Sequence, residues 1–253
     1  MPAFRSLLIA FSTYSRIPVP QVEWNEENRR WSMCFFPLVG LVIGLLLWGW
    51  LALCGSLKIG PFLRGAVSAM IPLLLTGGIH MDGYMDTIDA LASWQPKEKR
   101  LEILKDSHTG AFAVMGCAGM LLLSAALYAE ADPAKAPLLI CVFVLSRALS
   151  AWTLVTLKGA RPQGMLGDFS RAAQKRAVTV SGSIYAVLCM AVWTALGGWI
   201  AAMCAAAAVL CVLAYRRMAY RQFGGVTGDL AGWFLQVTEL VLTAVIIIGG
   251  KLV

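Results

Sequence analysis

The chain has 253 residues, of which 59% are hydrophobic and only 14% charged, with a formal net charge of +7 and a mean hydropathy of +0.73. A water-soluble domain of this length carries roughly 25% charged residues, so the composition excludes an ordinary soluble enzyme. Several apolar runs reach the roughly 20 residues that a bilayer crossing needs, and the chain reads as one integral-membrane catalytic domain over 1–253. No nucleic-acid partner is expected.

In chain order, Phe4–Phe11 is too short to span and contains Arg5. It leads into Thr13–Pro20 rather than a small-residue cleavage site, so it predicts an interfacial or re-entrant segment and not a cleaved signal. Seven spans follow at about 34–54, 62–79, 110–129, 137–157, 177–197, 199–215 and 231–249. Only Gly197-Gly198 separates the fifth and sixth, which predicts a tight hairpin. The longest loop, 80–109, contains a short amphipathic helix over Lys97–Lys105 after Pro96. The fold class expected is therefore all-α: a polytopic bundle of about seven transmembrane helices preceded by the N-terminal segment. The seven cysteines are scattered through or beside apolar runs with no CxxC pair. They read as small packing residues and not as disulfides or zinc ligands.

Seven spans divide the loops between two sides. Sixteen of the 21 Lys and Arg fall with the N-terminus and loops 80–109, 158–176 and 216–230; four fall opposite, and Arg147 lies inside a span. The basic side is expected to be cytoplasmic. Eleven of the fourteen acidic residues fall on that same side, which predicts an active site facing the cytoplasm.

The stretch Gly77-Gly78-Ile79-His80-Met81-Asp82-Gly83-Tyr84-Met85-Asp86-Thr87-Ile88-Asp89 carries the strongest chemical signal. On a helix, carboxylates at i, i+4 and i+7 share one face. At about 5–6 Å, each adjacent pair repels by about 3 kcal/mol at an effective dielectric of about 20. A cation removes that repulsion, and hard carboxylates suit Mg²⁺ shared with substrate phosphates. Asp82, Asp86 and Asp89 are thus candidate metal ligands, against the plainer reading of a solvated acidic face. His80 is a candidate phosphate contact or an interfacial histidine. Gly224-Gly225-Val226-Thr227-Gly228-Asp229 can present backbone N–H groups to an anion next to a helix start. Its Asp229 is open to metal ligation, base chemistry or helix capping. Lys105-Asp106-Ser107-His108-Thr109-Gly110 offers a cation, a carboxylate and hydroxyls, or simply a capping turn. Arg16 and Arg161, each near a proline, can grip a diphosphate or anchor at the membrane surface. Arg147 and Glu239 lie at similar depth inside spans. They must face the bundle interior, as a salt bridge or as a cavity floor.

Together these pieces resemble the cobalamin synthase family, the adenosylcobinamide-GDP ribazoletransferases. The matching segments are Phe11–Pro20, Phe36-Pro37-Leu38-Val39-Gly40, Gly77–Asp89, Leu101–Ser107, Ser146-Arg147, Ala160-Arg161-Pro162, and Gly224–Asp229 followed by Glu239, in family order over nearly the whole chain. The resemblance implies a Mg²⁺-dependent enzyme of the bacterial inner membrane. It would join adenosylcobinamide-GDP to α-ribazole or its 5′-phosphate and release GMP. It also implies Asp82, Asp86, Asp89 and Asp106 as metal ligands, and Asp89, Asp86, Lys105 and His80 as catalytic groups. Arg16, Gly225, Thr227, Gly228, Asp229, Ser107 and Arg161 would be substrate-binding. Its partners would be these small molecules and the lipid bilayer, with a homo-oligomer left open. The alternatives are a CDP-alcohol phosphotransferase, whose motif carries an Ala-Arg after the first Asp-Gly that is absent here, and a secondary transporter using Arg147 and Glu239.

Overall fold

The computed structural model describes residues 2–160 and 174–251; Arg161 lies outside them. Among the described residues the protein is helical with no β-strand, apart from one isolated bridge between Gly159 and Val226.

The N-terminal segment forms α1 (Pro2–Tyr14). Its 13 residues extend about 20 Å, short of a roughly 30 Å hydrocarbon core. Ile9 is fully buried with Met33, Phe36 and Leu235, so α1 is packed onto the bundle. The short α2 (Glu26–Arg29) starts at Asn25, whose side chain accepts from the Asn28 N–H. Then come α3 (Ser32–Ser56), α4 (Pro61–Thr76), α5 (Ile79–Ala92), α6 (Lys97–Ile103) and α7 (Ala111–Ala129). After a 3₁₀ turn at Pro133–Lys135 follow α8 (Ala136–Thr156), α9 (Lys175–Gly197), α10 (Ile200–Gln222) and α11 (Gly228–Gly249).

Among the described residues six helices are long and apolar enough to cross a membrane: α3, α7, α8 with its leading turn, α9, α10 and α11. The expected second span is divided. Gly77 and Gly78 both adopt left-handed backbone, with φ of 64° and 81°, a conformation that costs glycine little and other residues more. They end α4 and start α5 at 98° to it, and this bent pair is the seventh candidate. The acidic segment, placed between the second and third spans and read there on a helix, is α5, set crosswise to α4. The hairpin between α9 and α10 turns at Gly198, whose φ is +56°.

The core is built around α8, which packs against α3, α9 and α11. A central position follows from Arg147, whose charge excludes the helix from lipid. Gly40 and Gly44, one turn apart on α3, let the α3 and α8 backbones touch. A Cβ on Gly40 would collide with the Phe143 carbonyl, and one on Gly44 would lie 2.7 Å from Ile140 Cα. Close approach through small residues drives helix association where the solvent is already apolar. Gly40→Leu is expected to destabilise the bundle by about 3 kcal/mol, the cost of forcing a side chain into a filled interface. Thermal unfolding in detergent checks this, with Gly49→Leu as control, because a Cβ on Gly49 would meet nothing within 4 Å.

Candidate functional site

Two glycines create the site. Helices α5 and α11 cross with Gly83 against the start of α11: a Cβ there would lie 2.8 Å from the Asp229 carbonyl oxygen and 2.9 Å from its Cα. Gly232 answers from α11, where a Cβ would be 3.0 Å from the His80 carbonyl oxygen and 3.4 Å from Gly83 Cα. This crossing brings Asp229 to the acidic face of α5. Asp82 is exposed, while Asp86, Asp89 and Asp229 are half-buried. Burial first, then the charges of Asp82, Asp229 and Asp89, push the Asp86 carboxyl up to about 6. Four carboxylates thus act on one another electrostatically, and a proton on Asp86 relieves part of the strain that a cation would relieve more fully.

Asp229 had three roles open to it, and helix capping goes to its neighbour. Thr227 is the N-cap of α11 and accepts from the Leu230 N–H at 3.3 Å. That leaves Asp229 in the first turn, beside the stripe. Gly225 and Val226, expected to offer amides to an anion, use them internally. Gly225 N–H donates to Ala219 O at 3.2 Å and Val226 N–H to Lys158 O at 2.9 Å. The Ala160 N–H returns a bond to Val226 O at 2.9 Å. A Cβ on Gly225 would sit 2.6 Å from the Ala160 nitrogen. This turn therefore pins the exit of α8, directly ahead of Arg161, to the start of α11. Gly228 remains exposed.

Arg16 reaches the bend between α4 and α5. Its N–H donates to Leu75 O at 2.7 Å, and its side chain lies across Gly77, where a Cβ would come within 2.9 Å of Arg16 Cγ. His80 is enclosed instead. Its ring lies 6.1 Å from that of Tyr14 and 5.6 Å from that of Phe36, and its Nε2 has no hydrogen-bond partner among the described residues. An imidazole enclosed by these rings is a packing group, not a phosphate contact.

Asp89 uses both carboxylate oxygens on backbone: Oδ2 accepts from Gly110 N–H at 2.6 Å and Oδ1 from Ala113 N–H at 2.8 Å. Lys105, Asp106 and Ser107 lie exposed on the turn between α6 and α7. Asp106 is held within that turn, where its Oδ1 accepts from His108 N–H at 3.0 Å and pairs with His108 Nδ1 at 2.7 Å. These bonds, the backbone one first, keep the Asp106 carboxyl below the usual carboxylate range. Among the described residues, no three His, Cys, Asp or Glu side chains form a finished metal cage. The oxygen donors suit Mg²⁺ as a partial set, one that substrate phosphates and water would complete.

Deeper in the bundle, Arg147 and Glu239 form the salt bridge. Arg147 Nη1 bonds Glu239 Oε1 at 2.6 Å. The same oxygen accepts from Ser146 Oγ at 3.0 Å. Glu239 also lines a cavity of about 30 Å³ with Met81, Tyr128 and Thr243, room for about one water.

Periodicity within one segment could not reveal the crossing at Gly83 and Gly232 or the Asp89 bonds to α7. The available signal was Gly232, three residues after Asp229 and on the same helical face.

A family model described as Cobalamin-5-phosphate synthase matches residues 6–247. A protein of Lachnoclostridium phytofermentans named adenosylcobinamide-GDP ribazoletransferase is 42% identical over 254 residues, covering 100% of this chain and 97% of that protein. Proteins of the same name from Desulfitobacterium hafniense and Geobacillus thermodenitrificans are 35% and 33% identical. They cover 95% and 94% of this chain and the same shares of their own lengths. No solved structure matches the chain.

Proposed function

The chain belongs to the Cobalamin-5-phosphate synthase family, and from that premise we propose that it is a Mg²⁺-dependent adenosylcobinamide-GDP ribazoletransferase with its site facing the cytoplasm. A hydroxyl of α-ribazole, or of its 5′-phosphate, attacks the phosphorus that carries the cobinamide arm. The new P–O bond forms as the P–O bond to GMP breaks. GMP leaves with the displaced oxygen, and the product is adenosylcobalamin or its phosphate.

One observation carries this reading: the close crossing at Gly83 and Gly232 sets the start of α11, with Asp229, against the helix that carries Asp82 and Asp86. Asp82 and Asp229, with Asp86 between them, would hold Mg²⁺, which supplies charge neutralisation on the diphosphate when bound. Asp86, on the same helix face one turn beyond Asp82, would take the proton of the attacking hydroxyl. Arg16 at the α4–α5 bend, with Lys105 and Ser107, would grip the diphosphate, and Asp106 orders the turn that presents the latter two. Arg161, one residue beyond the pinned Ala160, would join them. The sixteen basic residues on the loops that carry these groups support a cytoplasmic orientation.

A donor competition tests the substrate class. With purified protein in detergent and α-ribazole present, adenosylcobinamide-GDP should yield GMP, and CDP-diacylglycerol should neither yield CMP nor compete. Turnover of the lipid donor would move the activity to the phospholipid-forming enzymes.

A further inference from the structure

Asp89 completes the i, i+4, i+7 stripe, yet its contacts differ from those of a group waiting for substrate. It caps a different helix. The N-cap of α7 is Gly110, which has no side chain with which to cap, so the orphan N–H groups of the first turn need an acceptor from elsewhere. Asp89 fills that need with one oxygen on Gly110 N–H and the other on Ala113 N–H, and its charge lies at the positive end of the α7 dipole. The fit leaves no room: a Cβ on Gly110 would lie 2.6 Å from Oδ2 and 2.7 Å from Oδ1.

The consequence reaches Lys105 and Ser107. Their turn is anchored at one end by Leu104, buried with Ala90, Phe223 and Leu230, and at the other by Gly110 on Asp89. Between the anchors, residues 105–109 are all exposed, so few contacts other than these ends and the Asp106–His108 bonds hold them.

We propose that Asp89 is a positioning residue: its carboxylate latches the N-terminus of α7 and thereby holds the Lys105–Thr109 turn against the end of the acidic stripe. This rests on the transferase reading for its effect on catalysis, while the latch itself can be measured without turnover. The carboxylate neither holds the metal nor takes the proton. Lys105 and Ser107 act on the diphosphate only while the latch is closed.

Three variants of the full chain in detergent separate the roles: Asp89→Ala, Asp89→Asn and Gly110→Ala. Asparagine keeps one acceptor oxygen and so one of the two bonds. Gly110→Ala displaces the carboxylate from the opposite side without touching it chemically. Asp89→Ala and Gly110→Ala are each expected to speed amide exchange over residues 104–113 by about tenfold or more, as a local opening does. Each should also lower kcat by about 10- to 100-fold, the usual cost of losing a group that orients others. Mn²⁺ affinity, read by electron paramagnetic resonance, should stay within about threefold of wild type, and Asp89→Asn, with one acceptor and one donor facing the two N–H groups, should fall between wild type and Asp89→Ala in turnover. Combining Asp89→Ala with Gly110→Ala should give a protein no slower than the slower single variant, because both remove the same latch.

Two results would overturn the latch. One is Mn²⁺ binding weakened about tenfold or more in Asp89→Asn, the behaviour of a ligand. The other is Gly110→Ala at wild-type turnover beside an inactive Asp89→Asn, the behaviour of a base. A wild-type protein that releases no GMP would refute the transferase reading, and amide exchange and Mn²⁺ binding would still decide the latch.

Discussion

Asp82→Asn and Asp86→Asn are each expected to lower GMP release on the order of 10²- to 10³-fold, the range for removing one preorganised charge-stabilising group from a transfer site. Each substitution keeps size and shape and removes one negative charge. The loss should fall mainly on kcat, since the charge that the site neutralises develops as the phosphorus–oxygen bonds exchange. The same variants should gain stability when metal is absent. Three like charges and burial already penalise an ionised Asp86, so Asp86→Asn relieves repulsion that the wild type carries. A higher unfolding temperature in chelator together with lost turnover is the signature of a functional acidic cluster. Lost turnover with a lower unfolding temperature would instead mark Asp86 as a structural group.

The second large effect lies deep in the bundle. Arg147 is fully buried and Glu239 nearly so; the guanidinium lies 5.7 Å from the Phe36 ring centroid and 5.9 Å from that of Phe143. Removing one partner strands the other charge away from water. Arg147→Leu or Glu239→Leu alone is therefore expected to cost about 3–5 kcal/mol, while the double variant recovers much of the loss. Activity should follow stability, because Glu239 sits ten residues, about 15 Å, along α11 from Asp229. A shift of α11 moves Asp229 against Gly83. A double-mutant cycle of unfolding free energies in detergent measures the coupling. Single variants within about 1 kcal/mol of wild type would mean that the pair is solvated and contributes little.

The spans were legible because apolar runs of bilayer length have few alternatives, and the acidic stripe because its spacing is a property of one helix. What escaped was long-range. Gly77 and Gly78 stand at the head of the acidic motif, and the structure uses their left-handed backbone to turn α5 across α4. Asp89 read as a third member of the stripe, yet its partners are 21 and 24 residues away, beyond any local pattern. His80, inside the motif in sequence, faces the rings of Tyr14 and Phe36, 66 and 44 residues away. Arg147 and Glu239 were matched by depth alone, and packing of α8 against α11 selects the ion pair.

The most direct test is a metal titration of the purified protein with adenosylcobinamide-GDP and α-ribazole. GMP and the joined product should form in equal amounts, with turnover abolished by chelator, restored by Mg²⁺ and insensitive to Mg²⁺ in the Asp82→Asn protein. Full turnover in chelator, or equal Mg²⁺ stimulation of wild type and Asp82→Asn, would contradict a metal-assisted transfer at this site.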